Sequence, residues 1–74
     1  MYFVVCLNGN NIEYKPFNDE KDMKDWIKEE LHYFRKDVYP TKETYILSGQ
    51  NFYALLEKGT DSLLCTYKIT KVKE

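Results

Sequence analysis

Few side chains in this sequence are able to do covalent or acid–base chemistry. His32 is the only histidine, and Cys6 and Cys65 are the only cysteines. A Cys–His or Ser–His pair works only when the two groups reach hydrogen-bond distance and a third group orients the base. No spacing in the chain brings His32 to Cys6, Cys65, Ser48 or Ser62, and at about 100° per residue it falls roughly opposite the apolar stripe of its own helix. We read it as an ordinary surface histidine. The cysteines form no CxxC and no Cys/His pattern of a zinc site, and no Gly-rich phosphate loop, HExxH or acidic metal loop is present. The expectation is a protein that is not an enzyme, with no metal and no cofactor.

Glu30 has Trp26, Ile27, Tyr33 and Phe34 as its neighbours one helical turn away. A carboxylate so flanked loses water, and its pKa rises unless a cation reaches it. The plainer reading is a boundary glutamate that reaches solvent or pairs with a lysine or tyrosine of the sheet. The helix charges are sorted by flank. Asp22, Glu29, Glu30 and Asp37 share the side of Trp26 and Tyr33, while Lys21, Lys24, Lys28 and Arg35 share the other. Aromatics dominate binding hot spots and acids steer a basic partner, so Trp26, Tyr33, Asp22, Glu29, Glu30 and Asp37 form a first candidate surface. If the two aromatics only finish the core, that flank is simply solvated. The basic flank offers four cations able to touch phosphates, but acids lie nearby, which makes it weak evidence for nucleic acid.

These residues depend on elements that hydrophobic periodicity places. Met23, Ile27, Leu31, Phe34 and Val38 recur at helical spacing, after a cap at Asn18 or Asp19 and an acidic first turn. Tyr39-Pro40 stops this helix, predicted over about residues 19–38. Tyr2 to Leu7 is apolar at both parities, as in a central strand, and Asn8-Gly9-Asn10-Asn11 turns it into Ile12 to Lys15, which Pro16 closes or places at an edge. Thr44 to Ser48, Phe52 to Glu57 and Leu63 to Val72 read as strands joined by turns at 49–51 and 59–61. The predicted fold is α+β, an antiparallel sheet of about five strands in order ββαβββ, with a single amphipathic helix packed on one face.

The outer face of such a sheet is a second candidate surface. We assign Leu63, Cys65, Tyr67 and Ile69 to the helix side. Tyr2, Val4 and Cys6 then go outward with Leu64, Thr66 and Lys68, joined by Tyr53 and Leu55. On this assignment the two cysteines lie on opposite faces and stay unbonded. One helix does not cover both sides of five strands, so the outer face either curls on itself or meets another chain, as in a homodimer. Tyr2, Tyr53, Lys15 and Lys68 are its candidate binding residues. They fit a small anionic ligand such as a nucleotide held between paired subunits, or bases stacked weakly on the sheet.

Length and charge bound all of this. Seventy-four residues make one small domain, 1–74, burying about 60–65% of the unfolded surface, with a radius of gyration of about 11 Å. Composition at 43% hydrophobic and 31% charged suits a folded chain, and a net charge of −1 gives no prior for nucleic acid or an anionic membrane. Two cysteines without a disulfide framework, no membrane-length apolar run and no signal-peptide core predict a cytoplasmic protein complete from Met1. Its cations are lysines apart from Arg35, and Asn, Tyr and Ile are plentiful, as an AT-rich gene encodes. In size and composition alone the chain resembles short, Lys- and Tyr-rich phage proteins that inhibit host machinery. The expected function is a small non-enzymatic binding protein acting through protein–protein interaction, a phage or mobile-element inhibitor of a host defence or housekeeping protein.

Overall fold

The computed structural model describes residues 1–73. Strands β1 (Tyr2–Asn8) and β2 (Asn11–Phe17) form a hairpin closed by Asn8 opposite Asn11. Gly9 takes φ +59 at the first position of its two-residue turn, a conformation that costs glycine least. Helix α1 (Glu20–Tyr33) starts at Asp19, whose side chain accepts the Lys21 N–H at 3.0 Å. β3 (Thr44–Ser48), β4 (Phe52–Glu57) and β5 (Leu63–Lys71) complete one antiparallel sheet in the order β2-β1-β5-β4-β3. This is the ββαβββ arrangement the sequence predicts. Central β1 runs beside central β5, and β2, with Pro16 opposite Phe3, is an edge.

The helix ends differently from its periodicity. Phe34–Val38 forms a single π turn, closed by the Tyr39 N–H donating to the Phe34 carbonyl at 2.8 Å. Tyr39 precedes Pro40 and leaves the helical region at φ −123, ψ 56, so the helix must end there. A π turn advances less than 100° per residue, which carries Val38 off the apolar stripe; it is exposed, while Phe34 stays buried against the Tyr39 ring.

Met23, Ile27, Leu31 and Phe34 meet Val4, Cys6, Leu55, Cys65 and Tyr67 in the core. Residues opposite one another in an antiparallel pair share a face. Cys6 opposes Tyr67, Val4 opposes Ile69, Tyr53 opposes Tyr67 and Leu55 opposes Cys65, so all lie under the helix. This overturns the outward placement of Tyr2, Val4, Cys6, Tyr53 and Leu55. β1 is apolar at both parities, so its sequence carries no signal for which side is buried, and the register with β5 decides it. Leu63 also moves, from the helix side to an exposed position opposite Leu56, because an irregularity between Leu55 and Leu56 skips Leu64 in the pairing.

Both cysteines are free and buried. They are unbonded although, contrary to expectation, they share a face: Cys6 opposes Tyr67, which sets Cys65 diagonally from it across β1 and β5. Burial pushes the Cys65 thiol up to about 11 and raises Cys6 as well, which makes both poor nucleophiles. The Tyr67 hydroxyl lies beside the Cys6 thiol, yet no described residue meets it in hydrogen-bond geometry.

Two stability measurements test this core. Leu31→Ala is expected to lose about 2–5 kcal/mol in urea unfolding, as a buried leucine does when its cavity stays open. Tyr67→Phe removes a buried hydroxyl without a partner and is expected to leave stability unchanged or raised. A loss above about 1 kcal/mol in that variant would show the hydroxyl bonded to a thiol.

Candidate functional site

A helix is about 10 Å across with its side chains, whereas the five strands span about 19 Å between edges. α1 therefore leaves a groove on each side of itself. Toward β2, a groove of about 160 Å³ is lined by Cys6, Asn11, Glu13, Glu30, Tyr33 and Phe34. Toward β3, a groove of about 410 Å³ is lined by Lys28, Leu31, His32, Arg35, Lys36 and Ile46. Of the charges sorted by flank in the sequence, Glu30 lines the first groove beside Glu13 of β2, and Lys28 and Arg35 line the second; Lys21 and Lys24 lie apart, among Asp19, Glu20 and Asp25.

The first candidate surface is split by packing. Trp26 lies half-buried, its ring 5.5 Å from Phe17 and 5.9 Å edge-on to Tyr67, with the Lys15 ammonium 5.0 Å from its centroid. That ring finishes the core. Tyr33 is 51% exposed and touches Phe34. Asp22, Glu29 and Asp37 are exposed, Asp37 on the π turn. Glu30 is half-buried, and burial first, then the Glu13 charge, hold its carboxyl above the ordinary value against the opposing pull of Lys15.

The second candidate set is also divided. Lys15 and Tyr2 belong to the helix face, at cross-strand positions opposite Val4 and Phe17, and Tyr53 opposes Tyr67 there. Only Lys68, opposite Val5 and Phe52, points outward. Tyr2 and Tyr53 do line one groove of about 410 Å³ on the helix side, together with Lys24 and Lys71, but Lys15 and Lys68 are not part of it, so the four residues do not form one site.

The outer face carries other residues. Its register gives rows Pro16–Phe3–Thr70, Tyr14–Val5–Lys68–Phe52, Ile12–Leu7–Thr66–Ala54–Leu47 and Leu63–Leu56–Tyr45. Lys68 is the one charged residue in these rows. Tyr14 is 72% exposed, Leu63 61%, Ile12 58% and Leu47 50%, with Leu7 and Phe52 also exposed. The Phe52 ring lies against the turn, where a Cβ at Gly49 would come within 2.9 Å of its Cδ1. Phe3, Val5 and Leu7 were the alternative parity of β1, the signal by which this face is legible in the sequence.

Among the described residues no three His, Cys, Asp or Glu side chains are placed to hold a metal, and no helix is long and apolar enough to cross a membrane. No protein-family model, curated protein or solved structure matches the chain.

Glu30 allows a test of the acidic groove. A carboxyl raised in the folded state binds its proton more tightly there than in the unfolded chain, so its contribution to stability falls as pH rises from the unfolded carboxylate range through the folded value. Glu30→Gln is expected to melt higher than the parent at pH 7. The gain should shrink below about pH 4, where the unfolded carboxylate also protonates. Melting curves that differ equally at both pH values would show that titration of Glu30 is not the cause.

Proposed function

We propose that the protein is a non-enzymatic binding protein that acts by covering an apolar surface of another protein with the outer face of its sheet. The observation that carries this reading is the set of apolar and aromatic rows, exposed at Leu7, Ile12, Tyr14, Leu47, Phe52 and Leu63 and half-buried between them, with Lys68 as their only charge. Exposed apolar patches of this breadth mark interaction surfaces. The chain exposes 5420 Å², whereas a monomer of 8.9 kDa is expected to expose about 4800 Å². The radius of gyration is 12.5 Å rather than the expected 11 Å or so, because the molecule is elongated, 42 × 22 × 18 Å.

Lys68 indicates the kind of partner. It lies on the central strand, so two copies packed face to face about a central two-fold axis would bring two ammonium groups together in apolar surroundings. A different protein, apolar at its centre and carrying a carboxylate to meet Lys68, fits without that cost. If the source is a phage or mobile element, as composition suggests, the partner is a host protein in the host cytoplasm, and binding inhibits it by occlusion. The helix flank is the weaker surface, because the Trp26 ring is already enclosed by Phe17, Tyr67 and Lys15.

The test places a photo-crosslinking amino acid at Phe52 in one variant and at Tyr33 in another, each exposed to extract of the source cell. The Phe52 variant is expected to yield one discrete heterologous adduct. Lys68→Glu should reduce it at least about tenfold with an unchanged melting temperature, since it sets a like charge against the partner's carboxylate. An adduct of twice the chain mass would assign the face to a second copy instead. Adducts from Tyr33 alone would move the site to the helix flank.

A further inference from the structure

From the basic groove between α1 and β3 we infer that the protein also holds a small phosphate-bearing ligand with an apolar body, of the nucleoside monophosphate class. The site lies on the helix side of the sheet and is independent of the outer-face reading. Lys28, His32, Arg35 and Lys36 follow one another along the helix flank at successive turns, and no carboxylate lines the groove. Elsewhere the helix neutralises its cations: Lys24 bonds Glu20 at 3.1 Å and Lys21 bonds Asp25 at 3.1 Å. Lys28, Arg35 and Lys36 have no ion pair among the described residues. Glu57, opposite Thr44, is already bonded to Lys42, and Asp25 to Lys21, so the charges that line this groove are all positive.

Arg35 is held in place there. Its Nε donates to the Thr44 hydroxyl at 3.0 Å, so the planar guanidinium is anchored across the gap between helix and β3 with its terminal nitrogens still available. A guanidinium fixed before binding loses less entropy when it forks onto phosphate oxygens. Leu31 and Ile46 supply an apolar floor, and Ile46 is 39% exposed although it belongs to the helix face. A volume of about 410 Å³ falls in the size range of small-ligand pockets, and cations beside an apolar floor match a phosphate joined to a flat apolar group.

The same charges do not make a nucleic-acid track. The stretch from Lys28 to Lys36 extends about 12 Å along the helix. Beyond it Lys24 and Lys21 are paired to acids, which leaves the length of little more than one phosphate group and its attached nucleoside.

Amide NMR titration of the full chain tests the inference, with adenosine monophosphate, inorganic phosphate, adenosine and a short oligothymidylate as probes. Adenosine monophosphate is expected to shift Lys28, His32, Arg35, Lys36 and Ile46. Inorganic phosphate should shift the same cations about tenfold more weakly, for want of the apolar contact, and adenosine more weakly still. The double variant Arg35→Gln, Lys36→Gln should bind adenosine monophosphate at least about tenfold more weakly at an unchanged melting temperature. No shift at millimolar adenosine monophosphate, or equal binding by that variant, overturns the inference. So does tighter binding of the oligothymidylate with shifts reaching Lys21 and Lys24, which would make the flank a nucleic-acid surface. None of these results bears on crosslinking through Phe52.

Discussion

A single helix lies on a sheet roughly twice its width, and this mismatch governs the molecule. The helix buries its stripe of Met23, Ile27, Leu31 and Phe34 over the middle strands, where Val4, Cys6, Leu55, Cys65 and Tyr67 complete the core. It reaches the edge strands through single side chains only, Trp26 against Phe17 of β2 and Arg35 to Thr44 of β3. β2 is exposed along nearly its whole length, and Ile46 on β3 stays open although it points to the helix side. A domain of this size has a small core, so each of these central contacts carries a large part of its stability.

The same geometry separates charge. The helix is narrower than the sheet, so side chains on each of its flanks border an open groove over the outer strands. On one side Glu30 meets Glu13, and lack of water and like charge raise its pKa. On the other side Arg35 crosses to Thr44, with Lys28, His32 and Lys36 beside it. Cations near the end of the helix also complement the helix dipole, so fold and site ask for the same residues there.

The far side of the sheet has no helix at all. Its residues are nonetheless β-branched, aliphatic and aromatic, and only Lys68 interrupts them. An outer face that only met water would alternate polar with apolar positions, as half-buried strands do. β1 instead is apolar on both sides, which is the pattern of a strand covered twice. The structure supplies one cover from its own helix, and the proposed partner supplies the other.

The sequence by itself determined the elements. The helical spacing of Met23, Ile27, Leu31 and Phe34, the Asp19 cap, Pro40 and the turns at Gly9, Gly49 and Gly59 are local signals, and each acts through residues within a few positions of it. The flank sorting of the helix charges was legible for the same reason. Which face each strand buries was decided only by the tertiary structure. Where both parities are apolar, as in Tyr2 to Leu7, pairing across the sheet must choose, and Cys6 opposite Tyr67 made the choice. The irregularity near Leu55 that turned Leu63 outward, and the π turn that removed Val38 from the core, are likewise products of long-range pairing and of how the helix must end before Pro40. The grooves and the open face follow from these choices: they depend on how wide the sheet is relative to its helix, a property of five segments assembled together and of none of them alone.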